Sequence, residues 1–522
     1  MNYKELVLPL SLALLTTLGV HYFFFSSKET CEESGIKSGQ GFIAPKTKRE
    51  LKPLNTEIDF VDTERSKPAE RSEIETNDAR LVFSTDGASL ESLEFKHVAN
   101  CLACPIQTLP IVGAAARENR CFLVGLGQRT PFYYALLERK DAQDTVQLTY
   151  QAPFDGGTIT KKFVVHKNMF KIDLEITIDA KSSVDQSLEP RIFWPSPAMA
   201  ALENTDVISA LVSNEKGSLE KIARTSLTVG QGWFSPRIFG ADNRYFIHAL
   251  VDDTQGFVQR AYFHLTDKNN ITSIIEGPAL GQKDVALKWQ VSFYMGPKEG
   301  AAMAAVNPLL EDTLDYAGFF APISKFLLYV LKLLYGLVHN FGLAIILITV
   351  LVKLVLLPFT YKAEEGMAKR TEFDKKLRYL QQKFKDQPDV LARERAELIK
   401  KHGMPGLSGC LPLLLQLPIF IALSRVLSSA IELYNAPFMG WITDLSAKDP
   451  YYILPIITGM SMLFQSLMMP SNDPKQRIST VVMALVIGAV TANLAAGLSL
   501  YICTFTILGI VQTQLLKVFK RS

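Results

Sequence analysis

The segment Ile348–Phe359 reads ITVLVKLVLLPF, an uncharged and mostly bulky apolar run interrupted by one cation, Lys353. A fixed charge is costly in hydrocarbon, so a lysine in such a run marks either the border of a span or a working charge inside it. If the helix left the membrane at Lys353, its apolar part would be Phe341–Val352, about 18 Å of helix. A bilayer core is about 30 Å thick. The apolar run resumes as LVLLPF and closes at Tyr361-Lys362. Phe341–Phe359 gives about 28 Å, which fits. Lys353 then lies past the middle of the span. It either snorkels along its own stem to the inner headgroups or faces a polar interior.

Other residues give it polar company. Thr349 is one helical turn earlier on the same face. Gln416, Ser424, Arg425 and Ser428 lie in the next apolar run, and Gln465 and Asn493 in later ones. None of the five C-terminal runs contains Asp or Glu. A proton relay would include a carboxylate, so this set points away from a pump. It points toward a hydrated groove, open to the cytosol, lined by Lys353, Thr349, Gln416, Ser424, Ser428 and Asn493.

The remaining chemistry-bearing residues form no reactive cluster. His97, His166, His248 and His264 are scattered. Cys101-Leu-Ala-Cys104 has the spacing of a redox or metal pair, but no second ligand pair stands near it. A structural disulfide involving Cys121 is the simpler reading of Cys101, Cys104 and Cys121, with the pairing left open. No phosphate-cradling GxxxxGK[ST] loop appears. The chain therefore reads as a non-enzyme with no catalytic residues, no metal and no cofactor. A net charge of +3 over 522 residues is too small to argue for nucleic acid.

The elements that must position the groove follow from composition. Leu6–Phe25 has the length of a bilayer span and ends in FFF rather than a small-residue cleavage site, so it reads as an uncleaved signal anchor over residues 1–25. Residues 26–77 are polar and read as a flexible tether. From Asp78 to about residue 300, short β-rich runs alternate with turn signals, which predicts an external antiparallel β-sandwich. Residues 301–340 read as a connector and an interfacial helix, because Ile323–Leu337 carries Lys325 and Lys332 on one face. Five candidate spans follow: Phe341–Phe359, Cys410–Ala430, Tyr451–Met469, Ile478–Leu494 and Leu498–Leu516. The fold class is thus an α-helical polytopic membrane protein with six spans and an external β domain, its core being residues 341–522.

Basic residues set the orientation. Tyr361–Pro405 holds twelve Lys or Arg against eight Asp or Glu, and Lys475, Arg477, Lys517, Lys520 and Arg521 fall on the same side of a six-span chain. Both termini are then cytoplasmic, with residues 26–322 largely periplasmic. Residues 362–403 show heptad-like apolar positions broken at Asp386-Gln-Pro388, a cytoplasmic helical hairpin. Its Lys369, Arg370, Lys375, Lys376 and Arg378 suit a docking arm.

With these elements in order, the chain resembles the YidC membrane-protein insertases of the YidC/Oxa family, in the Gram-negative form with a large periplasmic domain. The resemblance rests on GLSGCLPLLLQLPIFIAL (Gly406–Leu423), DPYYILPI (Asp449–Ile456), LYGLVHNFGLAIILITVLVK (Leu334–Lys353), AAGLSLY (Ala495–Tyr501) and FYMGPKE (Phe293–Glu299). It implies an inner-membrane chaperone that inserts and helps fold integral membrane proteins, with or without the Sec translocon. Nascent membrane proteins, the translocon, the ribosome and the lipid bilayer are the implied partners. The family's groove arginine falls on Lys353, which keeps the charge and loses the fork of donors. Tyr501-Ile502 stands where many members carry two aromatics. A channel or transporter for a small solute is the competing expectation.

Overall fold

The computed structural model describes residues 53–519, apart from 62–67, 97–105, 110–116, 118–119, 128, 156, 181–187, 199–207, 215–216, 229, 268–269, 280–285, 315–320, 385–386, 403–410 and 469–473. The expected anchor Leu6–Phe25 lies outside the described residues, as do Cys101 and Cys104. The chain divides into two compact units, one holding the β domain and the other the helices from Ala321 onward.

The β unit is built from antiparallel sheets of four, five and nine strands. Strand formation follows the two-residue period of the sequence. In GTITKKFVVH (Gly157–His166) every second residue is buried and the others are half-buried. This strand pairs on either side with Thr145–Phe154 and Lys171–Ala180 in the middle of the largest sheet. Sheets face each other through aromatic rings. Phe293 of the nine-stranded sheet meets Trp194 of the five-stranded sheet at 5.0 Å, and Phe122 beside that sheet's edge at 4.8 Å. A helix, α1 (Gly300–Val306), follows the last strand.

Two features depart from the expected outline. The tether does not extend to residue 77. Arg71–Glu75 is a strand of the four-stranded sheet, paired with Ala79–Ser84. Leu54, Ile58 and Phe60 pack on Leu123, Phe193, Tyr262 and Ile274. The Asn55 carbonyl accepts from Arg191 Nη1 at 2.5 Å and from Tyr262 Oη at 2.6 Å. A few spaced apolar residues in a polar stretch were enough to dock it, which average composition conceals. The second feature is a lysine in the core. Lys161 is fully buried, and its Nζ donates to the carbonyls of Gly87, Ala88 and Phe122 at 2.6–2.8 Å. Ala88 and Phe122 both adopt positive φ. The ammonium thus ties together two turns in an uncommon backbone conformation, and burial holds its pKa well below the usual lysine range.

His248 is a structural histidine. It is fully buried, with Nδ1 at 3.1 Å from the Pro195 carbonyl and Nε2 at 3.3 Å from Thr108 Oγ1. Burial holds its imidazole down at about 4. The unfolded chain protonates near pH 6.5, so the folded state loses stability as pH falls from about 6.5 to about 4, by about 3 kcal/mol in all. Denaturant midpoints followed by tryptophan fluorescence should decline over that window in the wild type. They should decline less in His248→Gln; equal slopes would contradict the assignment.

Candidate functional site

The helical unit contains α2 (Ala321–Val338), α3 (Phe341–Lys383), α4 (Pro388–His402), α5 (Leu411–Ser429), α6 (Ile453–Met468), α7 (Pro474–Thr491) and α8 (Ala496–Phe519). By length and composition, Ala321–Val338, Phe341–Pro358 and Ala496–Leu515 can each cross a membrane. Pro418–Ser429, Ile453–Gln465 and Val481–Thr491 are shorter apolar helices. The helix α2 meets this length test although its sequence reads as interfacial. Its exposed surface joins Phe326, Tyr329, Leu333 and Leu337 to Lys325 and Lys332.

The start of α3 is fixed by its surroundings. The Asn340 side chain accepts from the Leu343 N–H at 3.1 Å, capping the helix, and donates to the Phe438 carbonyl at 2.9 Å. Gly342 lies so close to the Phe438 ring that a Cβ there would stand 1.9 Å from Cδ2. Tyr335 stacks on Phe341 at 4.0 Å. From this pinned end, Ile345, Ile348, Thr349, Val352 and Leu356 form a buried stripe. Leu343, Leu347, Leu351, Leu354 and Val355 form an exposed apolar face suited to lipid. The helix continues through Pro358 to Lys383 without a break. The first arm of the expected hairpin is therefore an extension of the span itself, about 64 Å of continuous helix. The change from apolar to charged residues at Tyr361-Lys362 closes the apolar run without ending the helix.

A bracket of residues 434–452 holds the far ends of α6 and α8. The Asp449 carboxylate accepts from Trp441 Nε1 at 3.0 Å and from the backbone N–H of Tyr451 and Leu454 at 3.1 and 2.7 Å. The Ala496 and Gly497 N–H groups donate to the Ala447 and Leu445 carbonyls at 2.7 and 2.8 Å. Farther along, α6 and α7 cross closely at Gly459 and Gly488, where a Cβ on Gly488 would lie 3.4 Å from the Gly459 Cα.

Lys353 sits where α3, α6 and α8 converge. It is half-buried, and its Nζ lies 3.5 Å from the centroid of the Phe505 ring. A Cβ on Gly509 would stand 3.6 Å from Lys353 Nζ and 3.3 Å from Gln465 Nε2. Thr349, on the same face, is fully buried and donates to the Ile345 carbonyl at 2.6 Å. Tyr501 is fully buried between Phe420 at 5.9 Å and Phe505 at 6.1 Å. Its hydroxyl meets no hydrogen-bond partner among the described residues.

The other expected groove residues spread along the unit. Ser424 is buried and donates to the Ile421 carbonyl at 2.8 Å, while Ser428 is half-buried. Since α5 leads into the bracket and α8 leaves it, Ser424 and Ser428 lie on the bracket side of the Phe420–Tyr501 contact, away from Lys353. Gln416 lies on α5 on the opposite side of that contact, toward the level of Lys353. Asn493 is exposed in the turn between α7 and α8. About 20 Å of helix separates the start of α8 from Gly509, so Asn493 does not meet the lysine. Lys369, Arg370, Lys375, Lys376 and Arg378 all fall on the extension of α3, with Lys376 exposed. In the other unit, Cys121 is a buried free cysteine.

Phe505 and Gly509 escaped the sequence reading. They and Tyr501 recur every fourth residue on one face of α8, a stripe of two aromatics and a glycine that does carry a signal. Together these features define a polytopic helical membrane protein that holds a cation at depth and carries a separate antiparallel β domain.

Comparison with known proteins agrees with that class. The family described as 60Kd inner membrane protein matches residues 333–521, and the family described as YidC periplasmic domain matches residues 71–330. A membrane protein insertase YidC of Geotalea uraniireducens is 30% identical over 458 residues, covering 84% of this chain and 85% of its own. Another, of Coxiella burnetii, is 31% identical over 394 residues, covering 72% of this chain and 68% of its own. A solved active YidC insertase with its first transmembrane domain resolved aligns over 88% of this chain and 95% of its own, at 17% identity and a TM-score of 0.35. The chain belongs to the YidC family of membrane protein insertases. It is an inner-membrane protein with a periplasmic β domain, and nascent membrane proteins and the bilayer are what it works on.

The depth of Lys353 depends on the pinned start of α3, and this gives a structural test. Gly342→Ala must push the Phe438 ring or the helix aside, at a cost of about 1–3 kcal/mol. Thermal unfolding in detergent should show that loss, and Phe438→Ala in the same chain should recover part of it. An unchanged midpoint for Gly342→Ala would contradict the close approach.

Proposed function

We propose that Lys353 is the charge of a hydrated groove, open to the cytosol, through which short-tailed nascent segments enter the bilayer. The observation that carries this reading is the position of Lys353, half-buried on a lipid-length apolar helix where α3, α6 and α8 meet. Acidic residues in the tail of an incoming segment are drawn to the ammonium, and groove water keeps the tail's polar groups solvated. This shortens the hydrocarbon path that the tail must cross. The apolar segment then moves into lipid, driven by burial of its own surface. Thr349 and Tyr501 line the inner wall, with Gln416 on α5 toward the cytosol and Ser424 and Ser428 toward the periplasm. No covalent chemistry is required, and the protein acts as an insertase and chaperone rather than as an enzyme.

In this reading α2 lies in the outer interface, its lysines at the headgroups and its aromatic and leucine side chains in the acyl boundary. Both termini are cytoplasmic, as the basic residues between Tyr361 and Pro405 require. The α3 extension and α4, with Lys369, Arg370, Lys375, Lys376 and Arg378, form a cytosolic arm for the ribosome, and the Sec translocon is a cooperating partner.

Depletion of the native insertase followed by complementation tests the groove charge. Lys353→Ala should slow insertion of single-span proteins with short acidic tails about fivefold, as expected for about 1 kcal/mol of attraction in water-like surroundings. Lys353→Arg should retain activity. Normal insertion of acidic-tailed substrates by Lys353→Ala would remove the working charge from the account.

A further inference from the structure

The Lys353 ammonium lies over the Phe505 ring, 3.5 Å from ring centroid to Nζ. Such a short approach over a ring face is an attractive geometry, because the negative face of the π system meets the cation directly. The arrangement is specific to three positions on two helices. Lys353 reaches across from α3, Phe505 supplies the face from α8, and Gly509 lies one turn further along the same side of α8. Because residue 509 has no side chain, the ammonium occupies the space beside its backbone, next to Gln465 Nε2. A larger residue there would take that space.

We infer that Phe505 is a positioning residue for the groove cation: its ring seats the Lys353 ammonium against α8, in the space left by Gly509. The inference rests on the proposed groove and deepens it. A carboxylate in the place of Phe505 would hold the lysine equally well but neutralise it. An aromatic face holds the ammonium without adding a counter-charge of its own, so it does not neutralise the attraction for an incoming acidic tail. It also lowers the cost of keeping the charge at depth. A lysine needs this more than an arginine does, because its flexible stem does not preset the direction of its charge. Phe505 and Lys353 therefore form one functional unit, and Phe505 sets how strongly the groove prefers acidic tails.

The test uses the full chain in proteoliposomes and a pair of single-span substrates differing only in an acidic or a neutral short tail. Wild type should insert the acidic-tailed form in preference. Phe505→Leu should lower the acidic-to-neutral ratio about threefold. Phe505→Tyr and Phe505→Trp should restore the ratio, and Phe505→Leu should add nothing in a Lys353→Ala background. An unchanged ratio in Phe505→Leu, an equal loss for both tails, or a failure of Phe505→Tyr and Phe505→Trp to restore it would each overturn the seat. If Lys353→Ala itself leaves the ratio unchanged, the groove reading fails, and the seat is judged by thermal unfolding of Phe505→Leu, Lys353→Met and the double variant. Non-additive midpoints support the contact in that case, and additive ones overturn it.

Discussion

The helical unit is organised around the cost of keeping one ammonium inside an apolar assembly. A lysine within a membrane-spanning helix costs a few kcal/mol. It is tolerated here because Lys353 lies at a convergence of three helices, with an aromatic face on one side and the open backbone of Gly509 on another. Several distant features serve this placement. Asn340, Gly342 and Phe438 fix where α3 begins, and so how far along the helix the lysine stands. Asp449 fixes where α6 begins, and the pairing of Ala496 and Gly497 with the Ala447 and Leu445 carbonyls fixes where α8 begins, and so where Phe505 and Gly509 stand.

Placement by rigid ends suits a device that moves other chains without chemistry. A pocket that must solvate a passing polar tail cannot close into a packed core, so its geometry has to come from outside it. The close α6–α7 crossing at Gly459 and Gly488 and the capped bracket of residues 434–452 supply that stiffness. Beyond Lys353, α3 runs on past Pro358 to Lys383 as one continuous helix.

Much of this was legible in the sequence, for reasons that differ by residue. That the helix does not end at Lys353 followed from counting apolar residues against bilayer thickness, because helix rise and hydrocarbon width are both fixed lengths. The β domain followed from the two-residue period in strands such as Gly157–His166. The docked segment around Ile58 did not, because three apolar residues are lost in a polar average and their partners are more than 60 residues away. The uninterrupted α3 was not legible, because the end of the apolar run at Tyr361-Lys362 marks a change of surroundings and not of backbone conformation. Phe505 and Gly509 fall on one face of α8 with Tyr501, a spacing the sequence does carry, but an aromatic and a glycine are individually ordinary in a membrane helix. Only the arrival of a lysine from another helix gives them a role. Asn493 illustrates the converse, since an amide near an apolar run was grouped with the groove although it stands in an exposed turn.

The most direct test of the account is water access at position 353. In a full-length chain with its six native cysteines replaced by serine, single cysteines are placed at Lys353 and at the lipid-facing Leu354 and Val355. Each is then treated in inverted membrane vesicles with a charged, membrane-impermeant thiol reagent. The account predicts rapid modification at 353 and little at 354 or 355. Protection at 353, or equal modification at all three positions, would contradict a hydrated groove at the lysine.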